Sequence, residues 1–176
     1  MKHITCILLF LLLGVSGSAQ EKPSPKDIPS LKVLAGEGDA NAQFNLGAMY
    51  RDGKEVPQDY KEAVKWFRKA AMQGDAAGQT SLGVMYATGR GVLEDYKEAV
   101  KWFRKAVMHG DAAGQTSLGF MYRDGKGVPQ DYKEAVKWFR KAALQGNAGA
   151  QDSLGVSYVK GQGVPKDEKE AVKWYR

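Results

Sequence analysis

The sequence predicts an all-α protein, a right-handed α-solenoid of stacked antiparallel helix pairs. Three observations point to it. The segment DYKEAVKWFRKA at Asp59–Ala70 returns unchanged at Asp95–Ala106 and Asp131–Ala142, and returns shortened, as DEKEAVKWYR, at Asp167–Arg176. Trp66, Trp102, Trp138 and Trp174 follow one another at 36 residues, and self-similarity at a fixed period of that size marks stacked repeats. Within each period, apolar residues recur at helical spacing in two segments separated by glycine-marked turns. One helix pair leaves its apolar face open, and the neighbouring pair covers it.

The first residues stand apart from this pattern. Met1-Lys2-His3 is basic, Ile4–Leu13 is an apolar run, and Gly17 and Ala19 are small. This predicts a signal peptide over residues 1–19 with Gln20 as the mature N-terminus. The run is shorter than the roughly 20 apolar residues of a transmembrane helix. The reading is therefore an exported protein, periplasmic or secreted, with no stable membrane span after cleavage. Cys6 is the single cysteine and leaves with the leader, so the mature chain forms no disulfide. Residues 20–37 follow. Gln20–Pro29 carries Pro23, Pro25 and Pro29 and reads as an extended linker. Ser30–Gly36 reads as a helix of one or two turns that caps the stack.

The repeats fall at 38–73, 74–109, 110–145 and 146–176, the last incomplete. Gly38, Gly74, Gly110 and Gly146 open them. Asp39, Asp75, Asp111 and Asn147 then supply side chains that cap a first helix, worth about 0.5–2 kcal/mol each. In repeat 1 this helix covers Ala40–Arg51, with Ala42, Leu46 and Tyr50 on one face. Gly47, Gly83, Gly119 and Gly155 stand mid-helix, where glycine costs about 1 kcal/mol, so another helix backbone is expected to pass close. Gly53, Gly89, Gly125 and Gly161 end the helix in a left-handed cap. Val56, Val92, Val128 and Val164 pin the loop. Asp59 and Glu62 have capping-box spacing and start the second helix. Its buried face is Tyr60, Ala63, Val64, Phe67, Ala70 and Ala71. Trp66→Ala is expected to cost about 3–5 kcal/mol if the ring is buried and under about 1 if it is exposed.

The pattern of cap, LG pair, two loop glycines and Trp column resembles the Sel-1-like repeat, a relative of the tetratricopeptide repeat, from Gly38 to Arg176. Departures are Glu55 for a loop glycine, Leu93 for proline, Ser157 for the helix methionine and Glu168 for tyrosine. The resemblance implies a protein-interaction scaffold. Such proteins serve in bacterial signalling, envelope or host-contact settings, or in endoplasmic-reticulum quality control. It supplies no catalytic residue set and no cofactor.

Candidates for chemistry are few. Aspartate and glutamate recur at cap positions in every copy. His109, in the column of Gln73 and Gln145, has no second histidine in the mature chain with which to hold a metal. Ser157 and Lys160 fit Ser-x-x-Lys, so a β-lactamase-like or β-lactam-binding envelope protein is the alternative from another class. No Ser-Asp-Asn or Lys-Thr-Gly accompanies it, and the reading is non-enzymatic. Lys61, Lys65, Arg68 and Lys69 recur in the next two repeats as a basic ridge. The net charge is +6, and an acidic partner or an anionic envelope surface is a further alternative. Nucleic acid is not an expected partner of an exported chain.

The preferred site follows from what varies between repeats. Three first-helix columns change while the packing columns hold: Phe44/Thr80/Thr116/Asp152, Ala48/Val84/Phe120/Val156 and Arg51/Ala87/Arg123/Val159. They are expected to line a concave groove that takes a peptide or protein segment. The sequence stops at Arg176 before the end of the last second helix, so either it is a fragment or this open end packs on something, such as another copy.

Overall fold

The computed structural model describes residues 28–175, and among these every regular element is an α-helix. The predicted signal peptide, Gln20, Cys6 and the linker as far as Asp27 lie outside the described residues. The helices are α1 (Ile28–Glu37), α2 (Ala40–Asp52), α3 (Tyr60–Met72), α4 (Ala76–Thr88), α5 (Tyr96–Met108), α6 (Ala112–Asp124), α7 (Tyr132–Leu144), α8 (Ala148–Lys160) and α9 (Glu168–Trp174). Even-numbered helices are the first of each repeat and odd-numbered ones from α3 the second. Each packs on its neighbours in sequence, and α4 also touches α6.

α1 is longer than the sequence reading gave it. It begins at Ile28, so Ile28 and Pro29 of the predicted linker are helical. Pro29 sits in the first turn, where a missing amide leaves no helical bond unmade. Leu31 and Ala35 are buried against Ala42 and Leu46. They stand 36 residues before Phe67 and Ala71, so α1 occupies the place of a second helix ahead of repeat 1.

The first-helix caps form as the sequence indicates. Asp39, Asp75, Asp111 and Asn147 accept from the amides of Ala42, Gly78, Gly114 and Ala150. Gly53, Gly89, Gly125 and Gly161 close these helices at φ 65–67°. The second-helix start departs from a capping box. Asp59 accepts from Lys61 N and Glu62 N, but Glu62 does not return to the Asp59 amide. That amide donates instead to Tyr50 O at 2.9 Å, and Asp95, Asp131 and Asp167 reach Tyr86, Tyr122 and Tyr158 in the same way. The Glu62 carboxylate accepts from Lys65 Nζ. Each second helix is thus tied to the end of the first by a backbone bond.

The mid-helix glycines also have a different cause from the one expected. An ideal Cβ on Gly47, Gly83 or Gly119 would stand 2.5–2.7 Å from the ring of Phe67, Phe103 or Phe139, not against a backbone. Those three rings are at most 1% exposed, and burying each contributes about 1.5–3 kcal/mol. The glycine column makes the hole and the phenylalanine column fills it.

Repeats are joined by side chains that reach between them. Trp66 is half-buried against the cluster of Leu31, Ala35, Ala42 and Leu46, so its place lies between the two extremes the sequence allowed. Trp102 packs on the Ala63–Phe67–Leu82 cluster in the same manner. Gln73 Nε2 donates to Gln43 Oε1 at 2.8 Å, and Gln145 to Gln115 at 2.9 Å. Loop glycines Gly91, Gly127 and Gly163 lie on the carbonyls of Tyr60, Tyr96 and Tyr132 at the start of the preceding second helix. Glu55, the first member of that column, has φ +62° like the glycines.

Candidate functional site

The first-helix columns divide by burial. Thr80 and Thr116 are buried, and their hydroxyls are engaged within the fold. Thr80 Oγ1 donates to Asp111 Oδ1 at 2.7 Å and thereby orients the cap of the next repeat. Thr116 Oγ1 donates to the Ala112 carbonyl. Phe44 is half-buried against Phe67, with ring centroids 5.9 Å apart. Asp152 is exposed. This column is mostly packing, which is why a phenylalanine and two threonines occupy it.

The second column is more open. Ala48 and Phe120 are half-buried, Val84 is 39% exposed and Val156 38%. Phe120 leans on Phe139 in an edge-to-face contact at 5.2 Å. All four members are apolar, one per repeat. At the end of their helices Arg51 and Arg123 each make two bonds to the next residue. Arg51 Nε and Nη2 donate to Asp52 at 2.7 and 3.1 Å, and Arg123 to Asp124 at 2.6 and 3.0 Å. These bonds hold both carboxyls below the usual range and both guanidinium groups above theirs; partial burial opposes the shift, and Lys54 or Lys126 adds to the acid side. The Arg123 guanidinium lies 4.7 Å from the Phe120 ring centre. The pairs stand in repeats 1 and 3; repeats 2 and 4 have Ala87-Thr88 and Val159-Lys160 there.

The basic ridge is less free than its sequence suggests. Lys65, Lys101 and Lys137 pair with Glu62, Glu98 and Glu134 at 2.5–2.8 Å. Lys69, Lys105 and Lys141 lie 4.0–4.5 Å over the rings of Trp66, Trp102 and Trp138. Arg68, Arg104 and Arg140 donate to the phenol oxygens of Tyr86, Tyr122 and Tyr158 in the following repeat. Three of the four columns therefore have work inside the fold. The Glu–Lys and Trp–Lys contacts lie at i,i+3 and are legible from spacing within one helix; the Arg–Tyr contacts, 18 residues apart, are not.

Ser157 is 6% exposed and donates to the Ser153 carbonyl at 2.8 Å. Lys160 is exposed at the helix end. The hydroxyl is thus bonded to the backbone of its own helix, four residues back. Among the described residues no cluster of three His, Cys, Asp or Glu could hold a metal, and no helix is long and apolar enough to cross a membrane. On α9, Val172 is 52% exposed, while Val64, Val100 and Val136 in the same column are at most 6% exposed.

Stacked helix pairs with a 36-residue period, each capped in the same register, define a helical-repeat protein. The Sel1 repeat model matches residues 40–75, 76–111, 112–147 and 148–176, and the chain belongs to that family. Its frame begins at the first helix, two residues after the opening glycine. Solved structures agree. A protective antigen present in uropathogenic Escherichia coli strains, with an SLR fold, is 44% identical over 85% of this chain, with a TM-score of 0.78. A Sel1 repeat protein from Oxalobacter formigenes is 38% identical over 84%, with a TM-score of 0.75. Helicobacter pylori cysteine rich protein B is 27% identical over 72% of this chain and 97% of its own, with a TM-score of 0.55. The chain spans 32% of the length of the first of these and 60% of the second. No curated protein matches the chain. Sel1 repeat proteins are in general protein-interaction scaffolds.

Proposed function

We propose that this protein is an exported, non-enzymatic scaffold that holds a peptide or protein segment against the first helices of its repeats. One observation supports this above the others. The column Ala48, Val84, Phe120, Val156 is apolar in every repeat yet remains partly open to solvent. An apolar strip with charged Arg–Asp pairs beside it suits an extended segment carrying apolar side chains and polar flanks. Arg51 and Arg123, two repeats apart, would fix the register of that segment, and Phe44 and Asp152 would bound the strip.

Photo-crosslinking in native envelope extract tests the reading. A crosslinker at position 84 should capture a discrete partner, and Arg51→Glu with Arg123→Glu should weaken capture by tenfold or more. Equal capture by the double variant would remove the arginine pairs from the site. No capture at 84 with capture elsewhere would refute the strip. Export is tested by N-terminal sequencing, which should begin at or near Gln20.

A further inference from the structure

We infer that the outer face of α3, α5 and α7 is a docking face for an anionic lipid bilayer, independent of the first-helix strip. Lys61, Lys65, Arg68 and Met72 follow at four, three and four residues, which places them in one line along α3. All four are exposed. The same line recurs on α5 without change and on α7 with Leu144 in the methionine place. Each helix carries four basic residues against one glutamate.

Two parts of the line have no task inside the fold. Lys61, Lys97 and Lys133 make no ion pair among the described residues, while Lys65 and its equivalents do. Met72, Met108 and Leu144 are 75%, 83% and 73% exposed. Apolar side chains left so open, once per repeat and always beside basic ones, are the composition of a helix that lies in a membrane interface. Met72 also edges a shallow recess of about 320 Å³ floored by Trp66, and Leu144 edges one of about 260 Å³ beside Trp138. Protruding methionine and lysine ammonium together match the acyl–headgroup boundary.

The periodicity decides between a bilayer and a protein. The first-helix columns differ from repeat to repeat, as recognition of one particular segment requires. The outer face presents the same chemistry three times. A ligand that is itself uniform meets all three copies equally, and an anionic leaflet is uniform. An acidic protein would match one copy better than the others.

The test is sedimentation of the whole chain with vesicles of phosphatidylglycerol and phosphatidylcholine against vesicles of phosphatidylcholine alone. The basic and apolar leader Met1–Leu13 is common to wild type and variants, so the change between them reads the α3, α5 and α7 face alone. Wild type should prefer the anionic vesicles, and the preference should fall steeply between 50 and 500 mM salt. Lys61→Glu, Lys97→Glu, Lys133→Glu in combination should weaken it about a hundredfold or more. Met72→Ser, Met108→Ser, Leu144→Ser should weaken it about tenfold while leaving the salt dependence in place. Both triple variants change exposed residues, and unchanged circular dichroism and melting temperature show that they fold. No preference for anionic vesicles, or wild-type binding by the lysine variant, overturns the inference. So does retention of acidic proteins without vesicle binding.

Discussion

The ring of Phe103 stands where a side chain on Gly83 would be, its Cε1 2.5 Å from an ideal Cβ. Phe103 is 1% exposed and has no room to turn aside. Gly83→Ala should therefore destabilise by about 1–2 kcal/mol, overpacking outweighing the gain in helix propensity. Phe103→Leu in the same chain should return part of that loss, a coupling that a double-mutant cycle reads directly. At the last repeat the ring facing Gly155 is Tyr175, which is 48% exposed and able to swing outward. Gly155→Ala should be neutral or stabilising. Chemical denaturation of the three variants checks the contrast.

The loop column gives a second contrast. A Cβ on Gly91 would meet the Tyr60 carbonyl, and Gly91 has φ +71°. Gly91→Ala should cost about 3 kcal/mol, from backbone clash and left-handed strain together. Glu55 has φ +62°, and the position equivalent to Tyr60 one period earlier lies outside the described residues. Glu55→Gly should raise stability by about 0.5 kcal/mol, the relief of strain exceeding the added freedom of the unfolded chain.

His109 breaks a hydrogen-bond series. Gln73 and Gln145 donate to Gln43 and Gln115, but the Gln79 Oε1 atom, 30 residues before His109, is buried without a partner. His109→Gln should supply the missing donor and add about 1 kcal/mol. That is a rise of roughly 2–4 °C in melting temperature for a chain of this length. His109→Ala, which supplies no donor, should add nothing. Equal melting temperatures for the two variants would remove Gln79 from the account.

Arg123 and Asp124 set a small pH dependence. The guanidinium holds the Asp124 carboxyl below its usual range. A depressed folded pKa means stability present above the ordinary carboxylate value, near 3.9, and lost as pH falls through the folded one. The pair is partly exposed, so the loss should be under about 1 kcal/mol. Arg123→Ala should move the Asp124 titration upward in a carbon-detected NMR experiment and abolish that part of the acid dependence. Asp52 should respond to Arg51→Ala in the same direction.

Much of this fold could be read along the chain. Asp39 and Gly53 mark the ends of α2 because cap chemistry acts within three or four residues. Phe67 and Ala71 were placed on the buried face because helical spacing alone puts them there. The site was legible only in part. Val84 and Val156 came from a column that varies, and they are open. Thr80 came from the same kind of column, yet its hydroxyl serves Asp111, 31 residues away. Variation between repeats reports that packing does not fix a residue type; it does not report exposure.

The sequence by itself determined the period, the described helix pairs, the caps of the first helices and the class of protein. These follow from interactions spanning a few residues, repeated often enough to be unmistakable. Tertiary structure alone decided what fills the space beside Gly83, why Glu55 is strained, and that Arg68 reaches Tyr86 at 18 residues while Gln73 reaches Gln43 at 30. Those outcomes depend on which atoms of neighbouring repeats come within a few ångströms. Stacking geometry sets that distance, and no spacing within a single helix encodes it.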